Sequence, residues 1–223
     1  FEGSSIISEK FPEVATRSES APKVKEMQAQ FFEDKRMLEM YLEENIGTEC
    51  ISVFLNASQN YPLLVGQQTN LYKCVLVNGF ALLGKNGFMG LLHPEGVYDD
   101  PNGQKLRLEI YKQLRFHFQF RNELILFSEV GHTREYSVNI YGGTGEEISF
   151  ISISNLFHPS TIDGSFIHSG LGTSGGIKTT IEGSDKPRWN TNPHLNRLIK
   201  FDQDSFKIIA KVFDETNDSR STK

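Results

Sequence analysis

GFMGLLHPEGVYDDPNGQKLRLEIYKQLRFHFQFRNELILFSEVGHTREYSVNIYG, residues Gly87 to Gly142, passes from an unbroken apolar run through a helical period to an alternating one. Phe88 to Leu92 follows the turn Gly84-Lys85-Asn86-Gly87 and reads as a short strand buried on both faces of a sheet. Pro94 ends it. Asp99-Asp100-Pro101-Asn102-Gly103 is turn chemistry, and Leu106, Ile110 and Leu114 then recur at helical spacing, with Pro101 near the helix start. Phe116, Phe118 and Phe120 alternate with Arg115, His117, Gln119 and Arg121, and Tyr136, Val138 and Ile140 alternate with Ser137 and Asn139. Strand, loop, helix, strand, strand is half of an open α/β sheet. Ligands of such sheets sit beyond the carboxyl ends of strands, here the loop His93 to Tyr98.

The surrounding composition is that of an ordinary soluble protein. The 223 residues, 38% of them hydrophobic, can bury a sizeable core in one or two domains. No apolar run has the length a membrane span needs and no signal segment opens the chain, so it reads as cytoplasmic. Cys50 and Cys74 form no CxxC pair and read as buried, inert thiols. A net charge of −5 argues against a stand-alone nucleic-acid binder, because phosphate affinity comes chiefly from Lys and Arg. That objection weakens if the chain, which begins at Phe1, belongs to something larger.

Outside the central run, Phe1 to Ser20 has no sustained period and reads as a surface connection. Pro22 opens a long helix with Val24, Met27, Phe31, Leu38, Tyr41 and Leu42 on one face, stopping at Gly47. Such a stripe reads as core packing. A second helix runs from Cys50 to near Asn60, Pro62 to Gln68 is a loop, and Thr69 or Asn70 caps a helix in which Leu71, Val75, Leu82 and Leu83 share a face. After the turn Gly142-Gly143-Thr144-Gly145, Ile148 to Ile153 reads as a strand. Asn155 to Asn192 is a long stretch rich in Gly, Ser, Thr, His and Pro. Arg197 to Phe201 reads as a strand, and Asp202 or Asp204 caps a last helix carrying Phe206, Ile209, Ala210 and Phe213, before the polar tail Asn217 to Lys223.

Motifs in this order resemble the catalytic domain of adenine-specific DNA methyltransferases of large restriction-modification and phage-defence polypeptides, of type IIG-like kind. The residues carrying the resemblance are Asn70-Leu71-Tyr72-Lys73, Gly90-Leu91-Leu92-His93-Pro94-Glu95-Gly96, Asn122-Glu123, Leu126-Phe127 and Ser137-Val138-Asn139-Ile140-Tyr141-Gly142. The resemblance implies an α/β fold, the second half of a Rossmann-like class I S-adenosylmethionine-dependent methyltransferase domain over residues 1–145. A loop-rich extension with a C-terminal helix would occupy 146–223. It further implies a mixed sheet flanked by helices, with the Tyr136 to Tyr141 strand antiparallel to its neighbours and a raw edge where a missing N-terminal half belongs. Duplex DNA and that missing half are the implied partners, and S-adenosylmethionine the implied cofactor.

The candidate site residues follow from the same likeness. An enzyme that modifies a base inside a duplex flips it out and stacks it on an aromatic face, and Phe127 occupies the family's stacking position. A core role is the competing reading, since the chain has 17 phenylalanines. His93, Pro94 and Glu95 would line the pocket or simply cover a turn. Arg134, Lys178 and Arg188 would touch DNA phosphate, or be solvated surface charges. Gly170 to Gly176 lacks the GK[ST] ending of a phosphate-cradling loop and reads as a hinge or a DNA-facing loop, with Lys186 nearby. The six histidines are scattered without metal-ligand spacing, and Asn192-Pro193-His194 lacks the second proline and the aromatic of the family's catalytic tetrapeptide.

The cofactor's FxGxG strand and the Asn/Asp-Pro-Pro-aromatic loop occur nowhere in the sequence. A fragment inactive alone is therefore the expectation, with the catalytic residues upstream of it. The competing account is a non-enzymatic DNA-specificity or assembly module derived from a methyltransferase half. A third is nucleotide binding at the 170–176 loop.

Overall fold

A computed structural model describes residues 4–213 apart from 17–18, 69, 144, 146 and 181–185. Its contacts divide the chain into two units, Phe1–Pro62 and Leu63–Lys223. The division expected at residue 145 falls inside the second unit's sheet, where strands on either side of it pair. The Thr69 alternative for a cap, Thr144 of the glycine turn, the Phe213 side chain and the tail Asn217 to Lys223 lie outside the described residues.

The first unit is helical: α1 (Ser4–Lys10), α2 (Pro12–Ala15), α3 (Ala21–Glu33) and α4 (Lys35–Asn56). The segment expected as a surface connection is thus mostly helix. Ile7 and Val14 are buried with Phe31, and Phe11, Val24, Met27, Phe32, Met37 and Tyr41 pack against them. The long helix breaks at Asp34, which is extended and whose carboxylate accepts the N–H groups of Arg36 and Met37 at 3.0 and 3.4 Å. That cap starts α4, which then runs through Gly47 and includes Cys50. Glycine weakens a helix interior by only about 1 kcal/mol relative to alanine, and at Gly47 that is not enough to end one. Leu42 and Cys50 are exposed rather than buried.

The second unit is built on a mixed five-stranded sheet ordered β1-β3-β2-β4-β7. In chain order its elements are α5 (Leu71–Leu82), β1 (Phe88–Pro94), α6 (Gly96–Asp99), α7 (Gln104–Gln113), β2 (Leu114–Arg121), β3 (Glu135–Gly142) and β4 (Ser149–Leu156). They continue with α8 (Ser160–Ile167), β5 (Lys178–Thr179), β6 (Arg188–Trp189), β7 (Ile199–Asp202) and α9 (Gln203–Phe213). β3 runs antiparallel to both neighbours, as expected, while β2 and β4 are parallel and β4 and β7 antiparallel. The Asn155–Asn192 stretch contains α8 and the small β5–β6 ribbon, so it is not a continuous loop.

The alternation in β2 and β3 gives the sheet two unlike faces. Phe118, Phe120, Tyr136, Ile153 and Leu156 form an apolar core on one face, and Phe166 of α8 meets Phe116 and Phe118 edge-on at 6.0 and 6.4 Å. The other face carries His93, His117, Gln119, Ser137, Asn139, Tyr141 and Ser152 in register across four strands. α5 covers part of this face. Gly79 lies against Met89 with no room for a Cβ, and Phe80 meets Tyr141 edge-on at 5.2 Å.

β1 and α5 depart from the sequence reading. β1 is an edge strand packed on one face only, so Phe88 and Leu92 are 74% and 54% exposed rather than doubly buried. In α5 the stripe Leu71, Val75 and Leu82 faces outward, and the packed side is formed by Tyr72, Leu76, Gly79 and Phe80. The helix is apolar nearly all round, and such a sequence does not reveal which side meets the sheet.

Candidate functional site

The end of β1 and the loop from β2 to β3 enclose a cavity of about 440 Å³. His93, Pro94, Phe127 and Arg134 are among the residues lining it, together with Leu92 and Tyr136. The Phe127 ring is 40% exposed and meets Tyr136 edge-on at 5.1 Å, so it is not a core phenylalanine. Arg134 is exposed, and among the described residues no carboxylate pairs with its guanidinium. Leu92, Pro94, Phe127, Val130 and Tyr136 make the lining mostly apolar, with few polar groups, the usual character of a small-ligand pocket.

Asn122 shapes the loop. It is fully buried, its Nδ2 donates to the carbonyls of Phe127 and Val130 at 2.8 and 2.7 Å, and its Oδ1 accepts the Phe127 N–H at 3.0 Å. These bonds hold a turn in which Ile125 sits at φ +52°, a left-handed conformation that β-branched residues rarely adopt. Sequence reading took Asn122-Glu123 as a motif without giving Asn122 this task. An asparagine between a strand and a loop carrying an exposed aromatic was the available signal.

Behind the cavity lies a buried hydrogen-bond chain whose proton positions follow from its geometry. His93 Nδ1 is 2.9 Å from the Pro94 carbonyl, which only accepts, so Nδ1 donates. Its Nε2 accordingly accepts from the Tyr141 hydroxyl at 2.8 Å and from Asn139 Nδ2 at 3.0 Å. Asn139 Oδ1 accepts from the Tyr98 hydroxyl at 2.8 Å, and its Nδ2 also donates to Ser137 Oγ at 2.7 Å. Burial lowers the His93 pKa against the opposing influence of the Pro94 bond, so the ring is held neutral. Burial first, then the charges of Asp100 and Glu95, pushes the hydroxyl of Tyr72, stacked on His93 at 5.9 Å, up to about 12.

Glu95, expected beside His93 and Pro94 as lining of the same pocket, turns instead to a separate cavity of about 190 Å³. That cavity is also bordered by Tyr98, Tyr111, His117, Ser152 and Phe206. The strand ends at Pro94 and α6 begins at Gly96, and the Glu95 carboxylate between them lies on the polar face that His93 also shares. There it accepts from His117 Nε2 at 3.2 Å and Gln119 Nε2 at 3.2 Å, while His117 Nδ1 is hydrogen-bonded to the Ser152 hydroxyl at 2.9 Å. Burial pushes the Glu95 carboxyl upward, but His117 and Ser137 outweigh it and hold the pKa below the ordinary carboxylate value.

The remaining sites lie apart from the Phe127 cavity. Lys178 and Arg188 are exposed on the β5–β6 ribbon, and the Lys178 ammonium lies 4.4 Å from the Trp189 ring centroid. Neither lines the cavity. Gly170, Gly172 and Gly175 have positive φ, which gives the glycine run a backbone-turning task, and it leads into β5 rather than into a helix. Lys73 of the Asn70-Leu71-Tyr72-Lys73 motif is buried, and its ammonium bonds Gln67 and Asp100, tying α5 to the turn after α6. Asn70 caps α5 through the Tyr72 N–H.

Among the described residues no three His, Cys, Asp or Glu side chains gather as metal ligands, and no helix is long and apolar enough to cross a membrane. No family model matches the chain, and no curated protein matches it.

Proposed function

We propose that the chain supplies one wall of the target-base pocket in an adenine-specific, S-adenosylmethionine-dependent DNA methyltransferase of a restriction-modification or defence system. It would do so on part of a Rossmann-like class I methyltransferase fold, in the cytoplasm. The observation that carries this reading is the half-exposed Phe127 ring at a cavity of about 440 Å³ beside the carboxyl end of β1. A flipped adenine would stack on Phe127 between apolar walls, with neutral His93 behind it and Arg134 reaching the backbone phosphate. The antiparallel β3, between β1 and β2, supports the same reading.

Bound S-adenosylmethionine would supply the methyl group. The sequence lacks an FxGxG strand and an Asn/Asp-Pro-Pro-aromatic loop, so these residues do not make the cofactor's cradle. Their share of the work is to receive and orient the base.

The test is transfer of a labelled methyl group from S-adenosylmethionine to duplex DNA by the polypeptide that carries this chain, with Phe127→Ala alongside. Adenine methylation that the variant loses while remaining folded and cofactor-bound supports the proposal. Absence of cofactor binding and of transfer across varied DNA sinks it. The assembly-module reading would then take over, favoured by the net charge of −5 and by exposed Phe88 and Leu92 on edge strand β1.

A further inference from the structure

Glu95 carries a buried charge for which the fold supplies no permanent counter-ion. Its carboxyl is held below the ordinary carboxylate value, so it is ionised at neutral pH. Among the described residues no lysine or arginine pairs with it, and its ion-pair partner is His117, a cation only when protonated. Lys73 serves Asp100 and Arg121 serves Glu135, although both of those carboxylates are more exposed. A buried carboxylate is ordinarily matched by a cation, because its lost hydration must be made good.

The bonds Glu95 does receive are long. His117 Nε2 lies 3.2 and 3.3 Å from its two oxygens and Gln119 Nε2 3.2 Å from one of them, whereas charge-assisted bonds run at about 2.7–2.9 Å. Ser137 adds a hydroxyl bond. The Glu95 side chain keeps 11% of its surface accessible and that of His117 13%, and both border the cavity of about 190 Å³, which reaches exposed Ser154. The remaining lining suits a positive charge. Tyr111, Phe150, Phe201 and Phe206 contribute rings, with Phe206 4.7 Å from Tyr111 and 6.0 Å from both Phe150 and Phe201. Aromatic rings attract a desolvated cation, and among the described residues no lysine or arginine lines the cavity to repel one.

We infer that this cavity binds a small primary ammonium ion, its charge taken by the Glu95 carboxylate and its short alkyl chain lying among the aromatic side chains of α7, β4, β7 and α9. A primary ammonium brings N–H donors that a quaternary one lacks, and a carboxylate has room for about four such bonds. Water's share of liquid volume is about 30 Å³, so the space corresponds to about six non-hydrogen atoms. The site is separate from the Phe127 cavity and independent of the base-pocket reading.

The experiment titrates n-butylammonium and its neutral isostere 1-butanol into the full chain by NMR at about pH 8, a range in which histidine is ordinarily neutral. The ammonium ion should bind about tenfold or more tightly than the alcohol, with nuclear Overhauser contacts from its methylene protons to Phe150 and Phe206. Glu95→Gln keeps the side-chain outline and removes the charge. It should weaken the ammonium ion by about tenfold or more and leave the alcohol unchanged. Should that variant not fold, the comparison of the two probes on the parent chain decides alone. Equal binding of the two probes, no saturable binding of the ammonium ion, or undiminished binding to folded Glu95→Gln overturns the proposal. Glu95 would then serve only the hydrogen-bond network of His117 and Ser152.

Discussion

Asn122 grips both backbone polar groups of Phe127: the carboxamide Nδ2 donates to the Phe127 carbonyl at 2.8 Å while Oδ1 accepts the Phe127 N–H at 3.0 Å. A fully buried side chain thus presents a half-exposed ring. Replacing Asn122 with alanine would leave the Val130 carbonyl and the Phe127 N–H without this partner at once, and the Phe127 carbonyl with only the Val130 N–H at 3.2 Å. We expect a loss of roughly 2–4 kcal/mol, from unsatisfied groups that cost about 1–3 kcal/mol each and partly recover through water. Amide exchange should rise through residues 122–130. Unchanged exchange there would refute the role of the carboxamide.

Phe127→Ala should separate stability from function. The ring is 40% exposed, so its removal should cost less than about 1.5 kcal/mol, including the edge contact with Tyr136. Phe120 is buried in the same cluster, and Phe120→Ala should cost about 3–5 kcal/mol. Denaturant unfolding of the pair checks this. Methylation should fall about tenfold or more for Phe127→Ala, the scale of a lost stacking partner.

The buried chain around His93 and Glu95 makes stability pH-dependent in one direction. Because the His93 pKa is lowered from 6.5, the unfolded chain binds the proton more readily, and stability declines as pH falls below 6.5. The depressed Glu95 carboxyl contributes stability that is complete above its ordinary value of 4.5 and is lost as pH falls from there through the folded value. Melting temperature should therefore drop on acidification from pH 7, and drop again below 4.5. Glu95→Gln should lessen the second decline, to which Asp100, held low by its Lys73 partner, also contributes, and an unchanged acid limb would disprove the assignment.

Lys73 and Asp100 form a largely buried ion pair. Lys73→Met should cost about 2–4 kcal/mol by leaving the carboxylate with weaker partners, and adding Asp100→Asn should recover part of that loss. Additive effects in the double-mutant cycle would show that the pair does not act as a unit.

Phe88 is 74% exposed on an edge strand, a feature that invites intermolecular strand pairing. Phe88→Lys should leave stability within about 0.5 kcal/mol and reduce light scattering at high concentration. Scattering that does not change would locate any self-association elsewhere.

Much of the sheet was legible because β2 and β3 alternate cleanly and lie inside it, so their pattern records both faces: Phe118 and Phe120 against His117 and Gln119, Tyr136 against Ser137. β1 was readable as a strand but not as an edge, since its apolar run does not encode its neighbours. Ile7, Phe11 and Val14 do stand at helical spacing, but their helices are too short for the period to persist. The break at Asp34 was likewise hidden, because the carboxylate that caps α4 stands among other charges of a seemingly continuous pattern. His93, Pro94, Phe127 and Arg134 line one cavity. Glu95 does not, because its carboxylate lies on the sheet's polar face against His117 and Gln119 and borders a different cavity. Asn122 owes its significance to what it touches, and that is a three-dimensional property.

The placement of β3 between β1 and β2 also sets an order of events in time. β1 precedes β2 and β3 along the chain, yet among the described residues it pairs with β3 alone, with Phe88 opposite Gly142 and Pro94 opposite Tyr136. During synthesis or refolding β1 must wait unpaired while β2 and β3, joined by the shorter connection that Asn122 ties, close first; β1 then docks across the longer one at the greater entropic cost. Substitutions in β2 and β3 should therefore slow folding, whereas substitutions in β1 should chiefly hasten unfolding.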